Sequence, residues 1–586
     1  MIRAKTRVIS LAILMALATG LVFFPVNGQS IQAPTKLDDL LQEKLRLLSE
    51  LQGLAARARQ LEKPLARGIA EAEIADAAWS LDRNLAKELL RDAYSLALPE
   101  EAEQAKLRKR PVGAQPQMPT PAENARSAVR GRVMKVAARD KAFADELARS
   151  VAEKLGPYEA HMSYASLAYN AIQDGDYEDA KAYITKSIDS DPTQINGPSQ
   201  INQLAAKNRA AGDEVMLAYI ARLNSMTLDF RDGSVPRVFM ALSILIHPDP
   251  FFTRTSGIAP PGPAVMHAYV TYVLNSVAVM EQQSPSTFTA FHLLLVNTYP
   301  LLKQYAPEFK QQFLDLEQRS RKPGERFSLP TAKSIEEEYK AKSDKQVETE
   351  LESDHPDETI IQRAISRGDF SSARKMIDKL AEAPQKTQLT EVLNAQQAVS
   401  LANKGDIPGA QKLAESLVKA GSILRVFPVI AGKCAAKNDD SCARNAVNQA
   451  VRQLKKADLT PFTPPLGVPA SIIPTSKDFD LVLTSLGSLA AAVISMKDGL
   501  ALDLLDELVI AANHSDLDTG QGRTGFETSL FKKLAEKDEQ RTTAAAIQLQ
   551  DPLRQIVAMA AIDQWKAEQL TKAETASKKN DPPVKE

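Results

Sequence analysis

One dipeptide limits what this 586-residue chain can become. Gly-Asp stands at Gly175-Asp176, Gly212-Asp213, Gly368-Asp369 and Gly405-Asp406, each time between two Ala- and Leu-rich stretches. Glycine takes the left-handed conformation that ends one helix. Aspartate then accepts from the free N–H groups that open the next. The same polar break, without the glycine, occurs at Asp82, Asp439 and Asp498. Four residues beyond each aspartate comes Ala or Leu: Ala86, Ala180, Leu217, Ala373, Ala410, Ala443 and Leu502. That position lies one turn into the second helix, faces the first, and lets the two approach closely. Each break is therefore expected to be the elbow of a helical hairpin. Composition agrees. Only 25 glycines and 5% aromatics argue against a sandwich or barrel, while 44% hydrophobic and 25% charged residues exclude wholesale disorder.

The elbows are also regularly spaced: 37 residues from Asp176 to Asp213, 37 from Asp369 to Asp406, and 33 from Asp406 to Asp439. The best copy runs from about Ser163 to Pro192. Around Ala180 it carries Tyr164, Leu167 and Ala168 on the first helix, Ile184 and Ser187 on the second, and Pro192 at its end. This stretch resembles a tetratricopeptide repeat, whose period is about 34 residues. The other copies are worn: the unit around Ala410 keeps Ala398 and Ala414 but lacks the aromatic and the final proline. The resemblance implies an all-α fold of helical-hairpin repeats, a tetratricopeptide-like α-solenoid covering about half the mature chain. It is nearly silent on function.

The first residues carry a different signal. Arg3, Lys5 and Arg7 precede an apolar run from Val8 to Phe24, then Pro25 and Val26-Asn27-Gly28. Residues 1–28 read as a signal peptide cleaved before Gln29, so the protein is expected to be exported, periplasmic or secreted. No later run approaches 18 uninterrupted apolar residues, so no membrane span is expected in the mature chain. Removing Arg3, Lys5 and Arg7 takes the 72 basic residues to 69 against 73 acidic. Such a mixed, mildly acidic surface argues against nucleic acid as a partner. The one basic run, Lys106 to Arg110, follows Glu100, Glu101 and Glu103 and reads as a solvated helix end.

Between these landmarks the chain divides. Residues 29–110 hold an amphipathic helix (Leu37, Leu40, Leu41, Leu45, Leu48, Leu51, Leu54, Ala58, Leu61) and a hairpin around Asp82. A proline-rich linker, 111–121, leads to a helical-repeat half, 122–320, interrupted by a proline-rich loop at 235–264. A charged linker or exposed helix at 321–359 joins this half to a second, 360–570, and 571–586 is expected to be a disordered tail. Within the second half, 459–475 is proline-rich and 516–525 is a glycine-containing loop.

Motifs for chemistry are sparse. His161, His247, His267, His292, His355 and His514 show no metal-binding spacing, so no catalytic residue, metal or cofactor is assigned. His247, His267 and His292 do flank one loop and, with Asp249, could converge. Ser416 to Lys419 spells S-x-x-K without the partner motifs of penicillin-recognising enzymes. Arg367-Gly368-Asp369 is an adhesion tripeptide placed at an elbow. Cys434 and Cys442 flank the Asp439 elbow, late in one helix and early in the next, so they are expected to face each other and form a disulfide.

Taken together, these features predict an exported, non-catalytic scaffold that binds a protein or peptide partner in the cell envelope. Two other readings compete. One is an enzyme with its site near the 247–267 loop. The other is a structural envelope protein that self-associates through Leu37 to Leu61.

Overall fold

The structure is a computed structural model that describes residues 36–109, 120–192, 196–226, 242, 246, 259–283, 292–320, 347–349, 351–353, 356–381, 383–456, 481–496, 499–515 and 517–580. The expected signal peptide, the proline-rich linker apart from residues 120 and 121, most of the 235–264 loop, residues 321–346 and the proline-rich 459–475 stretch lie outside them. Every described element is helical, with no strand among the described residues. In chain order the α-helices are α1 (Lys36–Ala58), α2 (Pro64–Ala78), α3 (Arg83–Leu96), α4 (Glu101–Arg108), α5 (Pro121–Ala137), α6 (Lys141–Leu155), α7 (Pro157–Asp174) and α8 (Tyr177–Ser190). Next come α9 (Asn196–Lys207), α10 (Arg209–Asn224), α11 (Pro263–Gln283), α12 (His292–Tyr305), α13 (Lys310–Ser320), α14 (Glu358–Arg367), α15 (Phe370–Asp378) and α16 (Ala383–Lys404). The series ends with α17 (Ile407–Ala414), α18 (Ala420–Ala436), α19 (Asp440–Leu454), α20 (Leu481–Val493), α21 (Leu500–Asn513), α22 (Ser529–Lys537), α23 (Glu539–Ile547) and α24 (Pro552–Asn580).

Four elbows share one geometry. Gly175, Gly368 and Gly405 have φ of 79°, 81° and 90°, and Asn438 takes the same left-handed position at 55°. The following aspartates, Asp176, Asp369, Asp406 and Asp439, donate their N–H to the carbonyls of Ala171, Ala364, Leu401 and Cys434 at 2.9–3.0 Å, closing the helix behind them. Their carboxylates accept from the N–H groups of Asp179, Ser372, Gly409 and Cys442 at 3.0–3.1 Å, opening the helix ahead. Asp82 caps α3 through Asn84 and Leu85. Ala86, Ala180, Ala373, Ala410 and Ala443 are completely buried.

Gly212-Asp213 is different. Both residues lie inside α10, and Asn208 supplies the cap by accepting from Ala211 N–H at 3.1 Å. Glycine serves close packing there, because a Cβ at 212 would stand 2.6 Å from that of Ala205. Asp213 instead pairs with Arg209 and accepts from Gly262 N–H at 3.0 Å. The elbow falls 32 residues after Asp176. Asp498 is outside the described residues, and α21 opens at Gly499 with φ of 76°.

Hairpins pack on their neighbours in register. First helices contact first helices along α2, α5, α7 and α9, and again along α16, α18, α20 and α22. On the other side, ion pairs join successive second helices. Lys87 meets Asp140 at the cap of α6, and Arg91 meets Glu146. Lys141 meets Asp179, Lys186 meets Asp145, and Lys181 meets Glu214. α11 is long and apolar enough to cross a membrane by composition, but 56% of that stretch is buried, as in a core helix.

Two compact units are distinguished. The smaller comprises residues up to Arg46 and from Leu570 onward. In it α24 continues as helix to Asn580, where a disordered tail from 571 was expected, and Lys44 pairs with Glu574. Leu41 and Leu45 are exposed. The larger unit, Leu47–Gln569, holds one hydrophobic core that runs from Leu51 to Ile562, with a satellite core over Val347–Leu393. Inside this unit the beginning of the chain meets its end. Arg57 bonds Gln555, and Glu50 lies 4.0 Å from Lys566. Numbers fall along α1 as they rise along α24, so the two helices run antiparallel, a hairpin assembled from opposite ends of the chain.

Candidate functional site

The polar centre of the large unit is α2. From Gly68 to Trp79 every residue is buried, Glu71, Glu73 and Asp76 included. A helix apolar all round belongs in an interior, and three carboxylates there require partners. Arg132 of α5 forks across two of them, meeting Glu73 at 2.8 and 2.6 Å and Asp76 at 2.6 Å. Arg139 also bonds Asp76. Burial opposes the charge of Arg132, but Glu73 and Asp76 together raise its pKa. Glu71 takes one bond from Arg67 Nε at 2.7 Å, while its Oε2 is buried without a hydrogen-bond partner among the described residues, and burial raises its pKa.

Two further bonds tie this helix to the end of the chain. Thr528 Oγ1 donates to Glu73 at 3.0 Å, and Gln564 Nε2 donates to Asp76 at 2.9 Å. The 517–528 segment lies against α2 closely enough that a Cβ on Gly522 (φ 72°) would stand 3.1 Å from Leu65 O. Arg554 pins that segment from behind by donating to Thr524 O at 3.0 Å and Ser515 Oγ at 2.9 Å. The glycine-containing loop read from the sequence is thus a packing element. Chemically, the cluster fixes charge and ties α2 to α5 and α24.

Among the described residues, the histidines singled out from the sequence lie on separate elements. His247, Asp249 and His355 lie outside the described residues, as does the side chain of His292. His267, half exposed, meets Glu308 at 2.6 Å, and its ring lies tilted against Phe309 with centroids 5.9 Å apart. Its carboxylate partner is held low by its own backbone N–H and then by His267. His161 is fully buried, with Nδ1 3.0 Å from Ser187 O, and burial lowers its pKa. His514 is exposed beside Ile510 O. Ser416 Oγ donates to Leu413 O at 2.8 Å, and the Val418 and Lys419 N–H groups donate to Glu391, so the S-x-x-K residues serve a helix start. Arg367-Gly368-Asp369 is the α14–α15 elbow. Cys434 and Cys442 stand with sulfurs at bonding distance and Cα atoms 5.7 Å apart. Lys106 and Arg108 end α4, exposed or nearly so, with acidic residues in its first turn.

Sequence reasoning missed the α2 cluster. Its trace was available: Glu71, Glu73 and Asp76 interrupt an otherwise apolar run, Gly68 to Trp79, without sharing one helical face. Set against known protein families and curated proteins, the chain matches none of either.

Proposed function

We propose that the protein is an exported, tetratricopeptide-like scaffold that binds a protein or peptide partner in the cell envelope and performs no catalysis. The observation that carries this reading is the register of the hairpins. First helices stack on first helices, and second helices are laced to one another by ion pairs. Such stacking presents one helix row as a continuous surface for an extended segment or helix. Tyr169, half exposed on the first helix α7, is a large aromatic on that row.

The test is affinity capture from native envelope and secreted material with Gln29–Glu586 as bait. A partner that is retained by Glu178→Ala on a second helix but lost with Tyr169→Ala supports the scaffold. Partners indifferent to both variants, or none, would remove it.

Exposed Leu41 and Leu45, one turn apart on α1, favour a second reading, self-association. Sedimentation of wild type against Leu41→Ser/Leu45→Ser decides it. A monomer in both forms excludes it.

A further inference from the structure

The α1–α24 pair closes the large unit without a covalent elbow, and its middle contains a charge imbalance. Asp563 on α24 is 1% exposed. Its Oδ1 lies 3.4 Å from Lys566 Nζ and, among the described residues, has no well-formed hydrogen bond. The same ammonium is 3.5 Å from Glu539 on α23 and 4.0 Å from Glu50 on α1. Three carboxylates from three elements thus lie within 4.0 Å of one cation. Two neighbouring groups are engaged elsewhere. Gln564 turns to Asp76 on α2, and Lys532 on α22 is taken by Glu568. A buried carboxylate without full compensation is most cheaply accommodated by binding a proton. Burial pushes the Asp563 pKa up to about 6, with Glu50 and Glu539 adding repulsion against the pull of Lys566.

We propose that Asp563 makes the closure between the first and last helices a proton-dependent latch, tighter in mild acid and looser toward neutral pH. The sign follows from the direction of the shift. Closed, the carboxyl binds its proton more tightly than when released, where its ordinary value is 3.8. The stabilisation is therefore complete below about pH 4 and is lost as pH rises through about 6. Loosening would free a helix whose buried face includes Leu553, Ile556 and Val557.

Hydrogen exchange on the full chain tests this, with rates corrected for the intrinsic effect of pH. Protection of 47–58 and 552–569 is compared with that of α18 and α19 as an internal reference. Between pH 5 and 7.5, seam protection relative to the reference is expected to fall about 10-fold, which is what a carboxyl of pKa about 6 when closed and 3.8 when released gives over that interval. Asp563→Asn should keep the seam protected at both values. If seam and reference change together, or if Asp563→Asn retains the wild-type pH dependence, the latch is refuted. Should that variant not fold, Glu50→Gln/Glu539→Gln serves instead. Removing their repulsion must move the midpoint to lower pH, and an unmoved midpoint refutes the proposal.

Discussion

Asp369 shows how much one carboxylate decides. It closes α14 with its own N–H, opens α15 with its side chain, and holds both in the geometry repeated at Asp176, Asp406 and Asp439. Asp369→Ala should cost about 1 kcal/mol, the usual value of an N-cap. It should appear as faster exchange confined to α14 and α15, since an array of hairpins need not unfold as one. Uniform loss of protection along the chain would contradict that local role. Arg132→Ala should cost more, about 3 kcal/mol, because it removes the guanidinium that Glu73 and Asp76 share in the interior and leaves Asp76 with Arg139 and Gln564, and Glu73 with Thr528. A chemical denaturation midpoint close to wild type would show the cluster to be dispensable. At this scale the sequence was readable where a residue acts locally. Asp176 and Asp406 cap as their neighbours suggest. Gly212-Asp213 spells the same signal but answers to Ala205 and Gly262, which no local pattern reveals.

Hairpins were legible as elements because helix, elbow and small contact residue sit within about 35 residues of each other. Position 164, 167, 168, 180, 184 and 187 side chains are all buried in the α7–α8 pair. Cys434 and Cys442 belong to this scale too. Their Cα separation of 5.7 Å suits a disulfide across the α18–α19 elbow. Reduction should lower the stability of that hairpin by about 2 kcal/mol, as expected for so short a loop. Thiol titration of the unfolded chain before and after reduction, paired with exchange in α18 and α19, checks it. Free thiols in the native protein, or unchanged exchange on reduction, would remove the clip. The helices α1 and α24 were harder to read. The leucine seam of α1 was visible, and Leu51, Leu54 and Ala58 of it are buried, but the pairing of α1 with α24 joins residues 498 positions apart and leaves no local trace.

Across the whole molecule, the question is what holds the N-terminal and C-terminal hairpins together. From the sequence, the charged segment 321–359 alone joins them. Within the large unit, however, Thr528 reaches Glu73, Gln564 reaches Asp76, and Gln555 reaches Arg57, while the apolar core continues from Leu51 to Ile562. Contacts of this kind, between residues 455 to 498 positions apart, leave no period and no motif. Burying apolar surface contributes about 25 cal/mol per Å², so several buried side chains outweigh the tether of one linker. A protease site placed between Lys340 and Ala341 should therefore be cut without separating the fragments, which should co-elute by gel filtration under native conditions. Val557→Asp, placing a charge at a completely buried position of α24, should let the cut fragments part. If the wild-type fragments separate on cleavage, the covalent segment and not the terminal helices holds the molecule together.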